Sequence, residues 1–104
     1  MTIRDLEPAE IARRLEDHSV VLIDVREPNE YLDERIPGAL LFPLSTFDPK
    51  ALPDNAAKPI VFHCGSGMRS AKAMAASQGI ACEGHMRGGI KAWKAAGLPT
   101  VTSD

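Results

Sequence analysis

Short apolar runs that alternate with helical patterns are the feature that most constrains the fold of this chain. The runs SVVLIDV, GALLFPL and PIVFHC are rich in aliphatic side chains and too short for helices, so each predicts a buried strand. CEGHM is a candidate fourth strand. Strands separated by helices predict an α/β fold with a mainly parallel central sheet and helices on both faces. Helices are predicted over residues 8–17, 68–79 and 88–99, and one or two helical turns that start at Pro28 are predicted within residues 27–35.

Length and charge bound the number of domains and the classes of partner. The chain has 104 residues, of which 44% are hydrophobic and 25% are charged, and this is the composition of an ordinary folded domain. A chain of this size builds one core without disulfides, so we expect a single domain over residues 1–104. The formal net charge of −2 gives no basic surface for nucleic acid or membrane lipids, and neither partner is expected.

No apolar run is long enough to cross a membrane. The longest runs are VVLI and ALLF, whereas a spanning helix needs about 20 apolar residues. The segment MTIRDLEPAEIARRL carries charges throughout and has no apolar core of a secretory signal. We therefore expect a cytoplasmic protein in which Cys64 and Cys82 are thiols rather than a disulfide.

Polar and glycine residues follow the ends of several predicted strands. In parallel sheets, ligands bind beyond the carboxyl ends of the strands. Three groups fall there, namely Asp24-Val25-Arg26, the loop after Cys64, and Arg87-Gly88-Gly89. We expect these groups to surround one pocket.

The loop HCGSGMRS has the chemistry of a reactive cysteine in an anion-binding cradle. Gly65 and Gly67 permit the positive φ angles that turn backbone N–H groups inward. A helix that begins near Met68 and the guanidinium of Arg69 both add positive charge, which favours the thiolate of Cys64 over its thiol. The same donors would hold an anionic group on that sulfur, so the loop predicts a nucleophile together with its oxyanion site.

Cys64 and His63, at the end of the strand PIVFHC, could also have purely structural roles. A cysteine after an apolar strand is often a small core residue, although the glycines, the arginine and the helix start favour a nucleophile here. Strand alternation points His63 and Cys64 to opposite faces of the sheet. A structural histidine is therefore favoured over a general base.

Other side chains near the predicted pocket are expected to be structural. Asp24 and Arg26 could be an acid–base pair, but a partly buried ion pair that fixes the loops is favoured. Trp93 has helical spacing from Ile90 and is expected in the core. Three glutamates are expected on a solvated face, namely Glu27, Glu30 and Glu34.

Cys82 opens the predicted strand CEGHM, whereas Cys64 closes PIVFHC. In a parallel pair of strands they would lie on the order of 15 Å apart, which is beyond the reach of a disulfide. We therefore expect Cys82 to be structural or at the surface. Gly88 and Gly89 are expected to bring the backbone close to the pocket, to turn a strand into a helix, or to do both.

The sequence resembles the rhodanese family in three segments that together span most of the chain. DVREPNEY followed by RIPGAL is similar to the first signature of that family, GGIKAWKAAGLP to the second, and CGSGMRS to the active-site loop between them. The resemblance implies five parallel strands flanked by helices and a sulfurtransferase in which Cys64 accepts sulfur from thiosulfate or a low-molecular-weight persulfide. The Cys64 persulfide would then pass the sulfur to cyanide or to a thiol. No metal or organic cofactor is implied.

The resemblance also assigns roles within the loop. Arg69 would attract an anionic donor, and a partner protein is a further candidate acceptor of the sulfur. Gly65 stands where many sulfurtransferases of this type carry arginine, so low activity with thiosulfate is expected. Arg35 replaces a histidine at a site that is expected to be structural. The N–H groups that would hold the persulfide belong to Gly65, Ser66, Gly67, Met68 and Arg69.

Loop length separates sulfur chemistry from phosphorus chemistry. Cysteine phosphatases, including those that share the rhodanese fold, usually have one residue more between Cys and Arg than the four residues found here. A tighter cradle suits a single sulfur atom better than a tetrahedral phosphoryl group. A sulfurtransferase is therefore the main hypothesis. The alternatives are a non-catalytic sulfur carrier or binding module, and a cysteine-dependent phosphatase or arsenate reductase.

Overall fold

A computed structural model of the chain describes residues 4–52, 58–65, 67–77 and 82–102. Within these residues, helices and short strands alternate along the chain. Their bounds are β1 (Arg4–Leu6), α1 (Pro8–Glu16), β2 (Val21–Asp24), α2 (Pro28–Asp33), β3 (Glu34–Arg35), β4 (Leu40–Leu41), β5 (Ile60–His63), α3 (Met68–Ala76), β6 (Cys82–Met86), α4 (Gly89–Ala95) and β7 (Val101–Thr102).

Five of these strands form one parallel sheet in the order β1-β6-β5-β2-β4. The central strand β5 pairs with β2, where Asp24 lies opposite His63, and with β6, where His85 lies opposite Phe62. Because every pair is parallel, the carboxyl ends of the strands lie at one edge of the sheet. The sheet confirms the predicted α/β architecture of about five parallel strands flanked by helices.

Apolar side chains cover both faces of the sheet. On one face, Val61 belongs to a cluster to which α1 contributes Ile11 and α4 contributes Trp93. On the other face, Cys64 packs in a cluster with Ala73 of α3. Trp93 is 2% exposed, which confirms its predicted place in the core, and burial of such a side chain is worth about 3 kcal/mol. Alternation along β5 therefore decides which helix each residue meets.

The short strands depart most from the sequence prediction. The run GALLFPL pairs only over Leu40–Leu41, because Pro43 has no N–H to donate and a 3₁₀ turn begins at Leu44. The strand β1 and the antiparallel pair of β3 with β7 are not predicted, since two or three residues are too few to show a period. The helix α3 ends at Ala76, and its predicted end at Gly79 lies outside the described residues.

In the described part of the chain, the helices are all too short or too polar to span a membrane. The cytoplasmic location stays a prediction.

Candidate active site at the Cys64 loop

Cys64 directly follows β5 at the edge where the parallel strands end. The chain then turns through Gly67, whose φ of 110° lies in the left-handed region that favours glycine. The helix α3 begins at the next residue, Met68, and runs for nine residues. The loop therefore places Cys64 at the first turn of a helix.

The sulfur of Cys64 contacts two groups at the start of α3. The Gly67 N–H donates to Sγ at 3.0 Å, and the Ser70 hydroxyl oxygen lies 3.6 Å from Sγ. The N-terminus of α3 adds partial positive charge at the same place. Cys64 is only 1% exposed, so a thiolate there has little water around it and depends on these groups for stabilisation.

The other residues of the loop contribute in different ways. Gly65 does not adopt a positive φ, so that prediction is wrong for Gly65, whereas it is correct for Gly67. Glycine provides space at position 65, because an added Cβ would lie 3.2 Å from Nη2 of Arg69. The side chain of Met68 is 74% exposed. Ser66 lies outside the described residues.

Arg69 is bound by a carboxylate that the sequence analysis left on a solvated face. Nη1 and Nη2 of Arg69 donate to the two carboxylate oxygens of Glu30, at 2.7 and 3.0 Å. This hydrogen bonding is the largest cause that lowers the pKa of Glu30 to about 2. It is also the largest cause that raises the pKa of Arg69, to which the charge of Cys64 adds. The prediction for Glu30 is therefore wrong, and the positive charge beside the loop is shared with a carboxylate.

Asp24 and Arg26 form the ion pair that the sequence predicts. Nη2 of Arg26 donates to Oδ2 of Asp24 at 2.8 Å, and Nε lies 3.1 Å from both carboxylate oxygens. Nη2 also donates to the carbonyl oxygen of Glu34 at 2.6 Å. Asp24 is 0% and Arg26 is 5% exposed, so the pair is buried and joins the end of β2 to the start of β3.

His63 lies on the opposite face of β5 from Cys64 and is fully buried. Its Nδ1 is 3.3 Å from the carbonyl oxygen of Cys64. Its Nε2 is 3.5 Å from Oδ2 of Asp24, without the geometry of a hydrogen bond. Burial lowers the pKa of His63 and outweighs the opposing effect of Asp24, so the ring is neutral at pH 7. This placement favours the predicted structural role over that of a base for Cys64.

The glycine pair before α4 brings a second segment against the loop. Gly88 has a φ of 72° and Gly89 a φ of 63°, and a Cβ on Gly89 would overlap the carbonyl oxygen of Cys64. The Ile90 N–H donates to that oxygen at 2.8 Å. The two glycines therefore both start a helix and allow a close backbone approach, as the sequence analysis expects.

Three further side chains form a row that begins beside Cys64, and the sequence analysis gave none of them a role in the site. Ser70 Oγ lies 2.9 Å from Nδ1 of His85, and Nε2 of His85 lies 2.8 Å from Oδ1 of Asp5. Ser70 directly follows Arg69 in the sequence, so its position near the loop could have been predicted. His85 and Asp5 meet because β6 pairs with β1, and no local pattern predicts that pairing.

Cys82 lies at the far end of the strand next to that of Cys64. Its backbone is opposite Ile60, four residues before Cys64, which is about 13 Å along the strand. The parallel register that the sequence analysis assumed is confirmed, and it supports the expectation that these cysteines form no disulfide with each other.

Across the described segments, no group of three or more His, Cys, Asp or Glu side chains is placed to hold a metal ion.

Known proteins resemble this chain in sequence and in fold. The sequence profile of the rhodanese-like domain matches residues 7–96. The chain is 32% identical over 105 aligned positions to a sulfurtransferase of Allochromatium vinosum, covering 98% of each protein. It is 41% identical over 96 residues to an uncharacterised protein of Synechocystis, where the match covers 90% of this chain and only 54% of that protein. The crystal structure of a rhodanese-related protein from Thermoplasma volcanium is similar with a TM-score of 0.81 and 27% identity, over 96% of this chain and 99% of that one. With the profile match over most of its length, the chain belongs to the rhodanese family.

Proposed function

We propose that this protein is a sulfurtransferase that moves a sulfane sulfur through a persulfide on Cys64. The donor is thiosulfate or a low-molecular-weight persulfide, and the acceptor is cyanide or a thiol. The proposal rests on the Gly67 N–H that donates to Cys64 Sγ at 3.0 Å, in a loop with only four residues between Cys64 and Arg69. Membership of the rhodanese family and the sulfurtransferase of Allochromatium support the same chemistry.

The first displacement forms the persulfide. The thiolate of Cys64 attacks the outer sulfur of the donor, so a bond forms between these two sulfur atoms. The sulfur–sulfur bond of the donor breaks, and its electron pair leaves with the sulfite or thiolate that departs. The Gly67 N–H and the N-terminus of α3 stabilise the attacking thiolate. Further N–H donors to the outer sulfur would come from Gly65, Ser66, Met68 and Arg69.

The second displacement returns the enzyme to its starting state. The acceptor attacks the outer sulfur, and Cys64 departs as a thiolate that carries the electron pair of the broken bond. A sulfur whose thiolate is stabilised is the better leaving group. The same donor, the Gly67 N–H, therefore assists both the entry and the departure of Cys64.

The charges around the loop favour persulfide donors over thiosulfate. Thiosulfate is a dianion, and the guanidinium of Arg69 already binds both oxygens of Glu30. Gly65 supplies no second cation. We therefore propose that thiosulfate reacts more slowly than a low-molecular-weight persulfide of lower negative charge.

Mass spectrometry of the intact protein tests the proposal. Fully reduced protein is incubated with thiosulfate or with glutathione persulfide, and we expect one added sulfur atom, mapped to Cys64 by peptide analysis and removed by cyanide. Cys82→Ser is the matched control and should still accept the sulfur, whereas Cys64→Ser should not. The absence of the added atom with every donor would contradict sulfur transfer.

A sulfur carrier that serves a partner protein is the second candidate. The side chain of Met68 is apolar and 74% exposed beside the loop, which offers a contact for such a partner. In this case the persulfide would form, but steady-state turnover of cyanide would stay negligible until the partner was added. Turnover with small acceptors alone decides between the two candidates.

A further inference from the structure

A row of polar side chains at short distances leads from Cys64 to the outer strand β1. Sγ of Cys64 lies 3.6 Å from Ser70 Oγ, which lies 2.9 Å from His85 Nδ1. Nε2 of His85 lies 2.8 Å from Oδ1 of Asp5. Ser70 is buried, the side chain of His85 is 13% exposed, and that of Asp5 is 56% exposed. The row therefore connects a buried sulfur to a carboxylate in contact with water.

The strand register brings these groups to one face of the sheet. His85 is opposite both Asp5 of β1 and Phe62 of β5, so these three side chains point the same way. Cys64 is two residues beyond Phe62 and points to that face too, where α3 supplies Ser70. Among the described residues, the polar and titratable groups in contact with the ring of His85 are thus Asp5 from β1 and Ser70 from α3, with Cys64 beyond Ser70.

The chemistry of the acceptors assigns the protons along the row. The carboxylate of Asp5, 2.8 Å from Nε2, can only accept hydrogen bonds, so the tautomer assigned to a neutral His85 has its ring proton on Nε2. Nδ1 then accepts from the hydroxyl of Ser70, in competition with the Gly67 carbonyl oxygen at 3.1 Å. The oxygen of Ser70 is left to accept from the S–H of Cys64. The donors of Cys64 and Ser70 therefore point towards His85, and the donor of His85 lies on the side of Asp5.

We propose that Ser70, His85 and Asp5 form a proton relay that generates the thiolate of Cys64. The S–H bond breaks and Sγ keeps its electron pair, while the proton moves to Ser70 Oγ and the proton of Ser70 moves to Nδ1 of His85. The carboxylate of Asp5 balances the imidazolium. The hydroxyl of Ser70 then donates back to the thiolate, beside the Gly67 N–H.

The relay rests on the proposed role of Cys64 as the nucleophile, and it deepens that role. Ser70 touches the reacting sulfur, whereas His85 and Asp5 act through Ser70 and are positioning residues. The sequence analysis considered His63 as a base, yet His63 lies on the other face of β5. His85 lies on the same face as Cys64, with the hydroxyl of Ser70 between them.

The alkylation of Cys64 by iodoacetamide as a function of pH tests the relay. Only the thiolate reacts, so the pH profile reports thiolate formation without any sulfur donor, and peptide mass spectrometry separates Cys64 from Cys82. In Ser70→Ala and in His85→Phe, we expect alkylation at pH 7 to slow by roughly three- to tenfold, and its pH midpoint to rise by about half to one unit. Asp5→Asn should give a smaller shift in the same direction.

His18→Asn is the matched control, since His18 is exposed at a turn with a φ of 60° that asparagine also adopts. Its profile should coincide with that of the unchanged protein. A profile unchanged in all three test variants would overturn the relay, and so would a shift in Ser70→Ala alone, since Ser70 would then act without His85.

Two safeguards keep the outcomes separate. If circular dichroism shows that His85→Phe does not fold, the alkylation profile of Asp5→Asn tests the relay instead. This variant should fold, because Asp5 is more than half exposed on an outer strand. Shifted alkylation profiles without persulfide formation would contradict sulfur transfer and leave the relay standing. Persulfide formation with unshifted profiles would contradict the relay only.

Discussion

Two arginine–carboxylate pairs lie near the same edge of the sheet, and they differ in burial. Asp24 and Arg26 are two residues apart, with side chains 0% and 6% exposed. Glu30 and Arg69 are 39 residues apart, and each side chain is 34% exposed. Loss of one partner leaves a buried charge without compensation in the first pair, whereas water can replace the partner in the second. The buried pair therefore serves the fold, and the accessible pair is available to the chemistry.

The largest effect is expected from Asp24→Ala. This change leaves the guanidinium of Arg26 buried without its carboxylate, so the free energy of unfolding should fall by about 3–5 kcal/mol. Urea unfolding followed by the fluorescence of Trp93 measures it. Asp33→Ala, at an exposed position, is the control and should cost less than about 0.5 kcal/mol. Equal costs for the two variants would refute the contrast between the pairs.

The accessible pair should matter for the reaction with an anionic donor. Arg69→Gln removes the positive charge beside Gly65, so transfer of sulfur from thiosulfate to Cys64 should slow by about tenfold, the scale of one charge-assisted hydrogen bond. Single-turnover mass spectrometry gives the rate, with an alkyl persulfide that carries at most one negative charge as the comparison donor. The exposed Arg13→Gln should change neither rate. Equal slowing with both donors would show that Arg69 acts on the loop structure and not on the charge of the donor.

Acid should destabilise the buried group of Asp24, Arg26 and His63 at a higher pH than it weakens the accessible pair of Glu30 and Arg69. Burial lowers the pKa of His63 from its ordinary value of 6.5, so the unfolded chain binds more protons. The neutral His63 ring therefore makes its whole contribution to the free energy of unfolding above pH 6.5. Below that pH, the free energy of unfolding falls by at most about 1.4 kcal/mol per pH unit. The pKa of Glu30 is lowered from 4.5 to about 2, so its contribution is lost only between these values as the pH falls.

Urea midpoints measured from pH 7.5 to pH 3 separate these two contributions. Glu30→Gln should leave the slope between pH 7.5 and pH 5.5 unchanged and alter it only below 4.5. A flat stability profile between pH 7.5 and pH 5.5 would contradict the lowered pKa of His63.

The smallest effect is expected for the stability of Glu30→Gln at pH 7. A pair with a third of each side chain in water contributes less than about 1 kcal/mol, and added salt reduces that contribution further. Thermal unfolding in low and high salt measures it. A loss as large as that of Asp24→Ala would mean that the two pairs have the same role.

The sequence predicts the parts of the site that depend on neighbouring residues. The strand β5, the turn at Gly67 and the start of α3 at Met68 follow from an apolar run, a glycine and a stretch of helix formers. The pairing of Asp24 with Arg26 is predictable for the same reason, since only Val25 separates them at the end of one strand.

The parts that the sequence does not predict depend on contacts between distant segments. Glu30 meets Arg69 because α2 and the loop approach each other in space, and the glutamate pattern on α2 resembles any solvated helix face. His85 meets Asp5 through the register of β6 against β1, and β1 has only three residues. A two-residue strand such as β3 carries no periodicity either.

The Cys64 loop is held by a second segment that is far from it in the sequence. The N–H groups of Ile90 and Lys91 donate to the carbonyl oxygens of Cys64 and Gly65. The two segments lie so close that position 89 has no room for a side chain, which is why glycine is needed there. A protein engineer who transplants the cysteine motif into another scaffold would therefore have to carry the start of α4 with it. Changes in the intervening helix and strand at positions other than Arg69, Ser70 and His85 should be tolerated as long as both segments still meet, so the site depends on a pair of segments and not on the cysteine motif alone.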